Sequence, residues 1–371
     1  MIKNSRELKY SYADVCIVPA EISKIEHRAD CNPYVEDRKL PLFTSPMSSV
    51  VGGKETMQSW ISNGITPIMP RSIGFDERKE WAESGGWIAV SLSEVMQIQS
   101  GWKVLIDIAN GHMGKLYSGS IPEYLGLVGA PGETKVMIGN IANPETYRRI
   151  VGSGVYSYVR VGIGTGRGCI TSSNTGIHYP IASLISEIYS IREELGGGDD
   201  LPRIVADGGI RGYGDVVKAL ALGADYVMCG YVFAKMIEST GNKWFKYNDP
   251  IYGERTKILD TETEYSRVSY KCGSFSYKSE DLSIDNIKII KKYYGMASKQ
   301  GQLDMNGQKT RTCEGLITEI PIEYTVKSWT ENLTDYLRSS MSYCNSKTLN
   351  DFIGKASLVV CSPNTTGSIN K

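Results

Sequence analysis

The sequence predicts an α/β fold, a closed (β/α)8 barrel of the TIM type, and three observations carry that reading. Short apolar runs rich in β-branched residues recur along the chain, stretches with a helical pattern lie between them, and polar and glycine residues cluster where the runs end. Eight such runs, each followed by a crossover, point to a closed barrel rather than an open doubly wound sheet. A length of 371 residues is enough for one barrel with additions.

A polar lead-in runs to about residue 39, and within it SYADVCIVPA is the part expected to be ordered. Strands are expected near 41–46, 65–69, 87–91, 103–108, 135–139, 156–162, 203–207 and 225–230. Helical patterns lie between them, such as GKETMQSWISNG after the first and YGDVVKALALGA after the seventh, the latter with Val216, Val217 and Leu220 on one face. After the eighth strand the regularity stops. Residues 235–292 form a polar insertion rich in Tyr and Lys, and alternation such as TEYSRVSYK predicts a β-finger, a surface hairpin carried by the one barrel domain. Beyond YYGMAS (293–298) a polar loop is expected to Thr312, then a helix around 327–341, and residues 362–371 read as a disordered tail.

Acidic and basic residues balance at 41 each, so no global field draws the protein to nucleic acid or to a membrane surface. The N-terminal segment MIKNSRELKYSY has no apolar core, and no window has the unbroken apolar run of a membrane span. A soluble cytoplasmic protein is expected. The eight cysteines form no CxxC pair and there are three histidines, which favours neither a disulfide framework nor a zinc site.

In a barrel, chemistry belongs where strands end. The residues at those ends are Ser45 and Ser49, Asp107 to Gly111, Asn140, Gly162 to Thr171, Asp207 to Gly209, and Gly230. The stretch VRVGIGTGRGCITSSNTGIHYP (159–180) stands out among them. Its apolar run breaks into Gly162, Gly164, Gly166 and Gly168 and delivers Cys169 one residue later, with Thr171 two further on. Glycines let backbone approach a ligand, and a thiol held there can act as a nucleophile with a hydroxyl aimed at its target. A plain turn with a buried thiol is the alternative. His112 and His178 lie beside site loops and are read as satisfied loop histidines.

Four separated segments resemble the IMP dehydrogenase and GMP reductase family, in order and in spacing. They are VGIGTGRGCIT with the following TGIHYP, ADGGIRGYGDVVKALALGADYVMCG (206–230), YYGMAS, and LRSSMSYC (337–344). The likeness covers roughly residues 8–360 apart from the insertion. It implies that Cys169 adds to C2 of a purine nucleotide. Asp207 would hold the ribose hydroxyls, backbone near Gly209 and Gly230 with Tyr293 would cradle the 5′-phosphate, and Met296 would lie against the base. Ser45, Arg167, Gly168, Gly208, Tyr231 and Gly295 complete the implied substrate contacts. A thiolate attacking an electron-poor carbon and amides forming an anion nest agree with that picture.

Within the family, the likeness points to the reductase. Dehydrogenases hydrolyse the cysteine adduct with an Arg-Tyr pair on a flap between the GMxS and EG segments, and KQGQLDMNGQKTRT (299–312) contains no such pair. Reductases expel ammonia with a threonine and a glutamate, which map onto Thr171 and Glu314. IDIANGH (106–112) looks like the reductase cofactor loop, which implies NADPH contacts at Asp107, Ala109, Asn110, Gly162 and Gly164. The small regulatory domains that dehydrogenases insert after the second strand are missing here. The resemblance further implies a homotetramer and a K+ ion held by carbonyls of Gly164, Gly166 and Cys169.

Three positions depart from the family pattern. Met-Asp-Thr-Val reads Met47-Ser48-Ser49-Val50, which removes an acid near the site; the His-Lys or His-Arg after the second strand reads Pro70-Arg71; and the serine two before the nucleophile is Arg167. An arginine there could bind phosphate more strongly or favour a different nucleotide. The implied reaction is NADPH-dependent conversion of GMP to IMP and ammonia. Two other readings fit the same motifs: NAD-dependent oxidation of IMP or a related purine nucleotide, and a catalytically silent nucleotide-binding barrel.

Overall fold

The structure, a computed structural model, describes residues 7–129, 134–306 and 312–362. At its centre are parallel strands β1 (Leu42–Thr44), β2 (Ile68–Met69), β3 (Trp87–Val90), β4 (Lys103–Asp107), β5 (Lys135–Ile141), β6 (Tyr158–Val161), β7 (Arg203–Asp207) and β8 (Tyr226–Cys229). Each pairs with the next from β2 to β8, and β8 returns to β1. The seam between β1 and β2 is closed by Thr66, whose N–H donates to the Leu42 carbonyl while its carbonyl accepts from Thr44 N–H, both at 3.0 Å. Every run expected as a strand is a barrel strand, and the fold is the predicted (β/α)8 barrel.

The alternation of side chains sorts the residues of each strand. Ile88, Val90, Val104, Ile106, Val159, Val161, Ile204 and Ala206 face outward into the layer between strands and helices, while Trp87, Ala89, Leu105, Val205 and Met228 face the axis. The helices Lys54–Ile61 and Tyr213–Ala221 bury Met57 and Trp60, and Val216, Val217 and Leu220, against that outer layer. Inside, Phe43, Trp87, Tyr158 and Tyr226 pack edge to face, with ring centroids 5.3 Å apart for Phe43–Trp87 and 5.2 Å for Trp87–Tyr158. These rings fill the N-terminal half of the barrel.

The lead-in and the C-terminal segment meet, as Val15–Ile17 pairs antiparallel with Leu358–Val360. The expected C-terminal helix is Val326–Tyr343. The expected tail lies outside the described residues from 363 onward. No described helix is long and apolar enough to cross a membrane.

The insertion is more than one hairpin. Strands β9 (Lys243–Asp249), β10 (Gly253–Leu259), β11 (Val268–Lys271), β12 (Ser274–Lys278), β13 (Ser283–Ile287), β14 (Ile289–Tyr294) and β15 (Ile317–Pro321) make two antiparallel sheets, ordered β10-β9-β14-β15 and β11-β12-β13. Between them lies a separate apolar centre of Phe245, Leu259, Phe275, Tyr277, Ile287, Ile289 and Ile322. One face of each strand thus finds a core despite the polar composition. The segment expected as loop after YYGMAS is helical at Lys299–Asn306, where Ser298 Oγ accepts the Gly301 N–H at 3.1 Å and anchors the first turn.

Candidate active site

The uppermost inward positions of the barrel carry charge. Asp107 is two residues beyond Leu105, Asp207 two beyond Val205, and Arg160 two beyond Tyr158, so alternation turns all three toward the axis. Arg160 bridges the acids: Nη1 donates to Asp107 Oδ1 at 2.7 Å and Nε to Asp207 Oδ2 at 2.9 Å. Arg71, from the loop after β2, adds a contact of 3.0 Å to Asp107 Oδ2, and Asn140 Nδ2 donates to Asp207 Oδ2 at 2.7 Å. Burial works to raise the Asp107 pKa, but Arg160 and Arg71 outweigh it and hold the carboxyl below its ordinary value. Arg160, only 8% exposed, is held charged against burial by the two carboxylates.

Above this layer the loop after β6 brings the thiol in. Cys169 Sγ lies 3.3 Å from Thr171 Oγ1, and Thr171 Oγ1 donates to Glu314 Oε2 at 2.6 Å. Backbone fixes the distant glutamate beside the loop: Ile170 N–H donates to the Glu314 carbonyl at 2.9 Å, and Leu316 N–H to the Gly168 carbonyl at 2.8 Å. The glycines are demanded by closeness. At Gly208 φ is +84° and a Cβ would stand 2.2 Å from Thr165 Oγ1.

These groups line one cavity of about 350 Å³ at the C-terminal mouth of the barrel. Ser45, Gly168, Gly208, Gly209, Gly230, Tyr231, Tyr293, Gly295 and Met296 lie on it, as do Asp107, Ala109, Gly162, Gly164 and Gly166. Asn110 is the expected site residue that does not; it is exposed, and its side chain accepts the His112 N–H at 3.1 Å. Arg167 stacks its guanidinium 4.5 Å from the Tyr231 ring, and Tyr231 meets Tyr293 edge to face at 5.5 Å. Ser172 Oγ donates to the Gly164 carbonyl at 2.8 Å, and Cys169 N–H to that of Gly166 at 3.0 Å, so each carbonyl keeps one lone pair.

His112 accepts the Ala142 N–H at Nε2 (3.1 Å), and its Nδ1 lies 2.9 Å from Thr146 Oγ1; His178 Nδ1 lies 3.2 Å from the Ile163 carbonyl. Both rings are occupied by loop contacts. The acid that Ser48 lacks arrives from elsewhere, because Ser48 Oγ donates to Asp304 Oδ2 at 2.5 Å from the helix Lys299–Asn306. That helix also puts Gln302 and Met305 on the cavity. Arg160 and Asp304 were not expected at the site; Asn140 was expected only as a rim residue and Arg71 only as a departure from the family pattern, and the structure brings both onto the two carboxylates. Strand parity alone could have found Arg160; nothing local in the sequence points to Asp304.

The description "IMP dehydrogenase / GMP reductase domain" matches residues 96–256. Among relatives, a GMP reductase of Staphylococcus saprophyticus is 30% identical over 62% of this chain and 72% of its own length. The chain belongs to the IMP dehydrogenase / GMP reductase family. Within that family, a GMP reductase of Caenorhabditis elegans is 27% identical over 97% of this chain and 94% of its own. An inosine-5′-monophosphate dehydrogenase of Chlorobaculum tepidum is 31% identical over 67% of this chain and 43% of its own.

Proposed function

We propose that this chain is an oxidoreductase of the GMP reductase type, converting GMP to IMP and ammonia with NADPH through an adduct on Cys169. The observation that carries the reading is the hydrogen-bond chain from Cys169 Sγ through Thr171 Oγ1 to Glu314 Oε2. It supplies what reductive deamination needs, a thiolate and a proton for the leaving amine. Relatives named GMP reductase that align over nearly the whole chain support it.

Glu314 takes the thiol proton through Thr171 as Cys169 Sγ bonds to C2. The same pair returns that proton to the exocyclic amine, the C2–N bond breaks, and ammonia leaves. Asp107, Ala109, Gly162 and Gly164 would hold the nicotinamide nucleotide, and the donor set fits: a rim carboxylate whose oxygens keep lone pairs for ribose hydroxyls, beside glycines open to close approach. When bound, the dinucleotide supplies the hydride that reduces C2. The C2–S bond then breaks, and Cys169 regains a solvent proton through Glu314 and Thr171. Asp207 anchors the ribose, while Arg167 and Tyr293 face the phosphate. A K+ ion on the Gly164, Gly166 and Cys169 carbonyls and a homotetramer belong to the same reading; no step is routed through the ion.

The test follows the near-ultraviolet absorbance of NADPH with GMP in one cuvette and of NADH formed from NAD and IMP in another. Loss of NADPH with one ammonia released per turnover is expected. A gain of NADH with IMP and silence with GMP would replace the reductase by the dehydrogenase.

A further inference from the structure

The inserted sheets reach the cavity through a buried amine. Lys291 of β14 is fully buried, and its Nζ donates to the Ser49 carbonyl at 2.8 Å, to Ser239 Oγ at 2.8 Å and to the Thr240 carbonyl. Ser239 commits its own proton to the Met236 carbonyl at 2.7 Å, so its Oγ accepts from Lys291. All three acceptors are neutral, and together they use every N–H of an ammonium.

Lys243 sits directly opposite in the β9–β14 register and is 2% exposed. Its Nζ donates to the Ser239 carbonyl and, at 3.2 Å, to that of Gly241, and it lies 3.2 Å from the Tyr265 hydroxyl. Burial pushes both amines below the ordinary lysine value, Lys243 to about 7. The Tyr265 hydroxyl can donate to a neutral Lys243, whereas the partners of Lys291 need all three hydrogens. Glu238 favours the charged form of Lys243, whereas no described carboxylate pairs with Lys291; what sets Lys291 apart is that its three acceptors include the Ser49 carbonyl of the loop after β1.

The consequence lies at Ser49. Besides receiving Lys291, Ser49 donates its Oγ–H to the Tyr294 carbonyl at 2.7 Å, and Thr240 N–H donates to the Val50 carbonyl at 3.2 Å. The loop after β1 carries Ser45 and Met47, and β14 runs into Tyr293, Gly295 and Met296. Both segments are walls of the one cavity. We propose that Lys291 is a positioning residue that sets the spacing of these two walls and thereby the affinity for the purine nucleotide. The proposal rests on the nucleotide reading of the cavity.

Lys291→Met and Lys243→Met in the full chain test it as a pair. Each removes a buried amine of similar length and lowers the melting temperature, but only the first frees the Ser49 carbonyl. Losing the buried hydrogen bond that ties down that loop should raise KM for GMP about tenfold, with kcat and KM for NADPH within about twofold. Lys243→Met should leave KM for GMP within about twofold. Hydrogen exchange without ligand gives a readout free of the assigned reaction: amides of 45–51 and 293–297 should exchange faster in Lys291→Met and not in Lys243→Met. Equal KM changes in the two variants, or unchanged exchange at 45–51 in Lys291→Met, would overturn the proposal. If the wild type turns over no purine nucleotide, the functional reading fails and hydrogen exchange alone decides the role of Lys291. If Lys291→Met does not fold, Ser239→Ala, which removes one acceptor, should raise KM about twofold to threefold and loosen 45–51 in the same way.

Discussion

Two carboxylates on the same cavity, Glu314 and Asp107, live in opposite surroundings. Glu314 meets a hydroxyl, Thr171 at 2.6 Å, and no described lysine or arginine pairs with it. Asp107 is gripped by Arg160 at 2.7 Å and Arg71 at 3.0 Å, which hold it below the ordinary carboxyl range. In the proposed reaction the first is the proton carrier. The second cannot carry one near neutral pH, and the Arg160 network under it is a fixed floor. The proposed reaction, which moves one proton while a charged ligand is held still, needs both kinds, and here they sit on different loops.

The sharpest break of that contrast is Cys169→Ala. With the nucleophile gone, turnover should fall by more than about ten-thousand-fold while GMP binding, followed by calorimetry, persists. Full activity would remove the covalent mechanism. Next comes the fixed side: Arg160→Met leaves the largely buried Asp207 without a cation and Asp107 with Arg71 alone, and should destabilise by about 3–5 kcal/mol, against about 1 kcal/mol or less for Arg71→Met, whose side chain is 26% exposed. Denaturant midpoints decide it, and equal losses would mean that the floor is not built on Arg160. On the mobile side, Glu314→Gln keeps the shape and removes the proton carrier. It should slow kcat about a hundredfold to a thousandfold with KM for GMP little changed.

The smallest effect lies in the insertion. Lys243 loses its proton near 7 in the fold and near 10.5 in the unfolded chain, so between those values the unfolded chain binds the extra proton. Stability should therefore rise with pH across that window, by at most about 1.4 kcal/mol per pH unit, and the slope should vanish below about 7. The melting-temperature difference between wild type and Lys243→Met is the measurement. A flat difference would put the charge of the buried pair on Lys243.

Much of the barrel was legible because its signals are local. A strand buried on both faces reads as an apolar run, and VLID, VRVG and IVAD each announce both a strand and its end. The thiol loop was legible for the same reason, since four glycines within seven residues have few other uses. The insertion was not: Phe245, Phe275 and Ile289 are spread among Lys, Tyr and Ser, and only the facing sheets reveal a shared centre. Lys291, inside the apparently solvated IIKKYY, is fully buried because three oxygens from other segments meet it.

By itself the sequence determined the alternation of strands and helices, the rim on which the cavity opens, and Cys169 with Thr171 beside it. These follow from the twofold period of a strand and from glycine's freedom, which act within a few residues. Tertiary structure supplied the contact that seats Glu314, expected only through the family likeness, on Thr171 across 143 residues, and it alone decided that Arg160 joins acids 53 and 47 residues away and that Asp304 meets Ser48 across 256. Those partners meet because barrel closure and the returning C-terminal segments bring their loops to one mouth, where a buried charge is stable only when an opposite one arrives with it.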